Sequence, residues 1–159
     1  MPELTRGESI YKVRELLKDM RICMLTTVQA DGTLHSRPMA MQQAQFDGDL
    51  WFFTQRSSGK ASEVAAKSAV SVTAQSADLK SFLALRGFGY MVIDEAKNAA
   101  LWNPDLTAWF PQGLTDPQLA LLRVEAQTAE YWASPSGVVT YLYNLVTGSR
   151  DGEHEKLVL

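Results

Sequence analysis

The spacing of apolar positions changes near residue 21. Over residues 8–20, Ile10, Val13, Leu16 and Leu17 recur at helical intervals, with Lys12, Arg14, Glu15, Lys18 and Asp19 on the other faces. This predicts an amphipathic helix. Residues 22–28 are instead short, apolar and β-branched, and Asp31-Gly32 follows as a hairpin signal. A second strand is expected over 33–45, and a third over 50–54 after the tight reversal Asp47-Gly48-Asp49. Three strands in succession predict an antiparallel meander. Ser57 or Ser58 can cap a helix running to about residue 67, with Ala61, Val64 and Ala65 as its small apolar face.

Further along, 69–75 reads as a strand and 82–93 as a longer one, loosened by Gly87 and Gly89. Residues 95–102 are helix-permissive and lead into an aromatic loop, and 119–132 contain a sixth strand with hints of alternation. Residues 138–146 favour a strand by propensity, yet Val138, Leu142 and Leu145/Val146 also fit a helical face; a short helix is the reading taken. The tail, 149–159, is expected to be flexible and poorly anchored in a monomer.

Short strands, tight turns and few flanking helices predict a mainly β fold. A six-stranded barrel suits this pattern better than a doubly wound parallel sheet, and closure removes exposed edges. The 159 residues suit one domain, 1–159, without internal repeats or low-complexity tracts. Fifteen basic and 18 acidic residues leave a formal charge of −3. That gives no general attraction to nucleic acid or acidic membranes. The single cysteine, Cys23, sits in an apolar run and reads as a buried inert thiol, and the two histidines have no metal-ligand spacing. No apolar run has the length of a membrane span, and residues 1–6 lack a signal-peptide core. A cytoplasmic location is the expectation by elimination.

Candidate chemistry concentrates between residues 24 and 60. Arg37 ends one strand-like run, and a guanidinium fork matches phosphate oxygens. Pro38 beside it prevents normal pairing there and leaves backbone groups free for a ligand. The alternative is an edge-strand proline beside a surface arginine. Ser57-Ser58-Gly59-Lys60 places hydroxyls, a glycine and a lysine at a predicted helix start, where unsatisfied N–H groups favour an anion. An ordinary serine cap with a solvated lysine is the competing reading. Neither a nucleotide-triphosphate loop nor a Gly-x-Gly-x-x-Gly fingerprint is present. Trp51-Phe52-Phe53-Thr54 links the two cationic pieces and offers apolar walls for a flat body. Together they suggest a site for flavin mononucleotide (FMN).

Leu101-Trp102-Asn103-Pro104 and Trp109-Phe110-Pro111 form a stiff aromatic loop suited to a barrel mouth, a ligand wall or a subunit interface. Trp132 is a further candidate to close the pocket. No general acid–base pair stands out: Asp105 and Asp116 lack partners, and His35 and Ser36 face opposite sides of a strand. His154 has no assigned role. Redox chemistry in this chain would have to be carried by the flavin, with the protein orienting and tuning it.

These segments, together with Met24-Leu25-Thr26-Thr27, His35-Ser36-Arg37-Pro38-Met39, Leu121-Leu122-Arg123-Val124 and the run from Ala129 to Gly137, resemble one family in their order. It is the pyridoxamine 5′-phosphate oxidase-like, FMN-binding split-barrel superfamily, and within it the general stress protein 26 group. The resemblance implies a six-stranded split barrel that forms a homodimer, with two FMN sites at the subunit interface. Arg37 and Lys60 would hold the phosphate, with Ser58 assisting. Pro38, Met39, Phe53 and Thr54 would line the ring and ribityl chain. Trp102 and Trp109, with the strand over 69–75, would reach the site of the other subunit. Gly59 departs from the family by removing a side chain that could touch the phosphate. The basic C-terminal extension of pyridoxamine phosphate oxidases is not found, so vitamin B6 oxidation is not expected. The resemblance leaves three readings: a flavin-dependent oxidoreductase acting on a small molecule, a non-enzymatic flavin-sequestering stress protein, or a split barrel using deazaflavin or haem.

Overall fold

The computed structural model describes residues 3–42, 45–66, 68–134, 146 and 153–159. Helix α1 spans Arg6–Leu17, two residues earlier than the apolar spacing suggests. Thr5 sets its start through a capping box: the Glu8 amide donates to the Thr5 hydroxyl, and the Glu8 carboxylate accepts from the Thr5 amide. Strands β1 (Ile22–Val28) and β2 (Leu34–Ala40) form the expected hairpin. Gly32 turns the chain at φ +86°, a left-handed conformation that favours glycine. β2 stops well short of residue 45.

Strand β3 (Asp49–Gln55) does not continue a meander. It leaves β2 and pairs with β6 (Leu119–Ala133) from Asp49↔Glu125 to Gln55↔Leu119. The predicted reversal at Asp47-Gly48-Asp49 is present, with Gly48 at φ +119°, but it delivers the chain to β6 rather than back to β2. The Ala126 amide donates to the Gly48 carbonyl and fixes that entry. Helix α2 (Gly59–Ala66) follows, capped by the Ser58 hydroxyl, which accepts from the Ala61 amide at 3.3 Å. Strands β4 (Ala69–Gln75) and β5 (Ser81–Val92) then fall close to their predicted bounds. After α3 (Glu95–Leu101), two short 3₁₀ turns, Pro104–Ala108 and Gly113–Thr115, carry the aromatic loop to β6.

The hydrogen-bonded order is β2-β1-β4-β5-β6-β3, all antiparallel. A seventh strand, β7 (Glu153–Val158), corrects both the six-strand count and the expectation of a loose tail. It pairs with the second half of β6, from Thr128↔Val158 to Ala133↔Glu153. The Tyr131 hydroxyl donates to the carboxylates of Glu153 and Glu155, and Lys12 of α1 pairs with Glu153 at 3.2 Å. Thus β6 gives one edge to β5 along its length and divides the other between β3 and β7. The helix read over 138–146 and the start of the tail lie outside the described residues, apart from position 146. Among the described residues no ladder joins β2 to β3, so this antiparallel sheet resembles a split barrel, with its two end strands unpaired to each other.

The core gathers Leu25, Phe52, Val72, Leu83, Leu85, Leu122, Val124 and Tyr131 against α1 and α2. A second cluster of Phe53, Phe110, Leu119 and Leu121 binds the aromatic loop to β3 and β6, with Trp102 meeting Phe53 edge-on at 6.0 Å. Each fully buried large apolar side chain contributes roughly 1.5–3 kcal/mol. Cys23 lies in the main core, where burial pushes its thiol up to about 12. At Gly89, an added Cβ would lie 3.3 Å from Val64 of α2, so the bare backbone lets this helix seat against β5.

Gly87 stands where the β5–β6 register shifts. An added Cβ would lie 2.0 Å from the Glu125 carbonyl oxygen, and the atoms it would meet are backbone that cannot step aside. We expect Gly87→Ala to lower unfolding stability by about 2–3 kcal/mol in urea titration. A variant within 0.5 kcal/mol of the parent, on the order of a neutral surface change, would show that the bulge relaxes freely.

Candidate functional site

The end strands β2 and β3 face one another across a cleft of about 390 Å³. β2 supplies Pro38, Met39 and Ala40, and β3 supplies Phe53, Thr54 and Gln55. The α2 start adds Ser58 and Lys60, Gln42 adds an amide, and the aromatic loop adds Leu106, Trp109 and Phe110. Its size lies within the range of small-molecule sites, and its walls combine apolar surface with a few polar groups. A larger groove of about 490 Å³ runs past Ile22, Met24, Thr73 and Phe82. Its lining includes Asp19 and Arg21 but none of the nine residues singled out from the sequence.

Seven of the nine residues singled out from the sequence therefore line one cleft: Pro38, Met39, Phe53, Thr54, Ser58, Lys60 and Trp109. Local geometry explains how. A proline is accommodated on an edge strand, and β2 is an edge. The turn after β3 is anchored to β6, with the Arg56 amide donating to the Gln118 carbonyl and Ser57 donating to the Gln118 side chain. This holds Ser58 beside Thr54, with their hydroxyls 3.1 Å apart. Trp109 is 64 % exposed at the cleft rim, whereas Phe110 is buried beneath it. Trp102 sits behind Phe53 and does not line the cleft.

Arg37 is also set back. Its side chain lies on the core face of β2, opposite Leu25, with His35 two residues before it on the same face. One terminal nitrogen donates to the Thr27 hydroxyl at 2.7 Å and more weakly to the Leu25 carbonyl at 3.5 Å. The other donates to Glu63 Oε2 and to His35 Nδ1, each at 2.8 Å. Glu63 also accepts from the Thr27 hydroxyl. That hydrogen bond, then that of Arg37, outweighs burial and holds the Glu63 carboxyl down at about 2. Lys60 is half-buried; burial and then the Arg37 charge lower its pKa, with Glu63 opposing them. Arg37 and Lys60 are thus close enough to feel each other's charge.

The sequence reading missed Glu63, Thr27, Gln42 and Gln55. Only the opposite charges at positions 60 and 63, one helical turn apart, gave a local signal for Glu63. Its contacts with β1 and β2 are long-range. Among the described lining residues Lys60 alone has an ordinary titrating side chain, and none is a carboxylate or imidazole. The arrangement fits a phosphorylated planar cofactor: cationic and hydroxyl groups at the α2 end, apolar and aromatic walls beyond. Among the described residues no group of three or more His, Cys, Asp or Glu side chains is placed to hold a metal ion.

Because the folded-state pKa of Glu63 is depressed from 4.5 to about 2, its ion cluster contributes stability above pH 4.5 and loses it as pH falls toward 2. Glu63→Gln is expected to be less stable than the parent at pH 6. The difference should shrink steadily between pH 4.5 and pH 2 in denaturant unfolding at each pH. A gap of constant size would remove the charge from the explanation.

Comparisons with known proteins place the chain in a family. The family model described as "Pyridoxamine 5′-phosphate oxidase like" matches residues 8–155. A general stress FMN/FAD binding protein from Xanthomonas citri is 32% identical, covering 80% of this chain and 89% of that chain, with a TM-score of 0.68. A putative general stress protein 26 from Jannaschia sp. CCS1 has the same fold over 98% of this chain and 100% of that chain, with a TM-score of 0.75 at 23% identity. Protein bli-3 of Neurospora crassa is 25% identical over 161 aligned residues, spanning 95% of this chain and 77% of bli-3. The chain belongs to the pyridoxamine 5′-phosphate oxidase-like family, with its structural likenesses in the general stress protein 26 group.

Proposed function

We propose that this chain is an FMN-binding flavoprotein that works as a homodimer and transfers electrons to or from a small molecule. The observation that carries the reading is the cleft between β2 and β3, with Lys60 and Ser58 at one end and Met39, Phe53, Phe110 and Trp109 along it. The FMN/FAD binding named for the Xanthomonas citri protein supports it. In this reading Lys60 receives the phosphate with Arg37 behind it, while the flanking β2 and β3 backbone lies along the flavin and ribityl chain. Bound FMN would supply the redox chemistry; the cleft's own side chains would bind, orient and exclude water.

A flavin-sequestering role without turnover is the second reading. It is favoured by a cleft wall without carboxylate or imidazole groups. Stopped-flow mixing of the FMN-loaded protein with NADH and NADPH separates the two. Rapid bleaching of the flavin supports the oxidoreductase, and a flavin that neither nucleotide reduces supports sequestration. Competitive titration against deazaflavin and haem tests cofactor choice.

The dimer is supported by the outer face of the sheet. Cross-strand register puts Ile22, Met24, Leu34, Phe88 and Tyr90 on one side, all exposed. Leu34 is 71 % exposed, and five large exposed apolar side chains on one sheet face suit association with a second copy. We expect the double variant Leu34→Glu/Phe88→Glu to sediment as a folded monomer and the parent as a dimer. A monomeric parent would refute the dimer.

FMN titration, followed by flavin fluorescence, tests the cofactor itself. Lys60→Ala should weaken FMN by roughly tenfold to a hundredfold, the range for a hydrogen bond to a charged group, and leave riboflavin binding nearly unchanged. Arg37→Ala should weaken FMN as well, with an added loss of stability because Glu63 is left unpaired. Equal FMN binding by a folded Arg37→Ala/Lys60→Ala protein would remove both from the phosphate site.

A further inference from the structure

One of the two cations offered to a phosphate, Arg37, is already paired with a carboxylate. Glu63 binds Arg37 directly and lies near enough to Lys60 to oppose the loss of its proton. The terminal nitrogens of Arg37 meet four acceptors: the Thr27 hydroxyl, the Leu25 carbonyl, His35 Nδ1 and Glu63. A bidentate phosphate contact needs two parallel N–H groups from such a fork. Some partner must therefore give way.

The four are not equally able to leave. Leu25 and Thr27 belong to β1, which is paired on both edges, and His35 shares β2 with Arg37. Glu63 comes from outside the sheet, on the short helix α2, at the end of a side chain with three rotatable bonds. Its side chain is 15 % exposed, the same as that of Arg37, and it stands one helical turn after Lys60 on α2. It is the one negative group in the cluster, and therefore the one that an arriving phosphate repels.

We propose that Glu63 is a resident counter-ion that a ligand's phosphate must displace from Arg37, so that Glu63 sets the affinity of the cleft for phosphorylated ligands. This rests on the flavin reading of the cleft. Without ligand, Glu63 keeps two nearby cations from standing uncompensated beside the core. With ligand, a phosphate monoester carrying between one and a half and two negative charges replaces a single carboxylate. The exchange favours a dianionic phosphate over a carboxylate or other single negative charge. The affinity given up to the resident carboxylate is returned as stability of the empty fold.

The competing account makes Glu63 a positioning residue that holds Arg37 ready for phosphate. The two accounts differ in sign. Removing a competitor tightens phosphate binding, whereas removing a support weakens it. The test is titration of the full-length parent, Glu63→Gln and Glu63→Asp with FMN and, separately, with riboflavin, which lacks the phosphate. Circular dichroism melts establish that each variant is folded.

Glu63→Gln is expected to bind FMN about tenfold more tightly than the parent, within the range for one charge-assisted hydrogen bond, and riboflavin within about twofold. Glu63→Asp keeps the charge on a side chain one methylene shorter and should tighten FMN by a smaller factor; it carries the test if the glutamine variant does not fold. Unchanged or weaker FMN binding by the folded variant overturns the proposal while the flavin reading stands. An equal gain for riboflavin overturns it too, because the gain then owes nothing to phosphate. A parent that binds no FMN at all overturns the flavin reading and takes this proposal with it.

Discussion

The gap between β2 and β3 is the constraint around which the molecule is arranged. These are the two ends of the ladder, and they approach each other without pairing. Pro38 on β2 has no N–H to offer, which suits a strand whose outer edge stays unpaired. β6 enforces the other side. Its first half holds β3 and its second half holds β7, so β3 cannot slide toward β2 without surrendering its ladder with β6. The cleft is therefore held open by competition for backbone partners, not by a loop that happens to bow outward.

Much of this was legible locally. The Asp31-Gly32 turn, the serine before α2 and the apolar runs of β1 and β4 each carry their own signal within a few residues. The edge character of β2 could be read from one proline. What sequence reading could not supply was partner choice. Residues 47–49 reverse the chain equally well for a hairpin or for an entry beside a distant strand. Only β6, some seventy positions later, decides the matter. The tail illustrates the same limit. Its polar start reads as poorly anchored, yet alternation along β7 leaves Leu157 buried and turns two carboxylates, Glu153 and Glu155, toward the Tyr131 hydroxyl.

The candidate site divides along the same line. Residues that line the cleft through backbone position, such as Pro38, Met39, Phe53 and Thr54, follow from where their strands lie. Arg37 does not, because its role depends on what its guanidinium touches. Three of its four acceptors are visible only once β1 and α2 are in place. Within its own chain Trp102 lies behind Phe53 rather than along the cleft. An aromatic residue one layer from a ligand is hard to distinguish by pattern from one that touches it.

The location of Cys23 has a practical consequence. The only thiol in the sequence is kept protonated within the core at neutral pH, its pKa pushed up to about 12. Oxidants generated at the rim of the molecule would meet no sulfhydryl there. A cysteine introduced anywhere on the surface would then react with a maleimide dye against a silent background, so spectroscopic rulers could be attached without first deleting the native one.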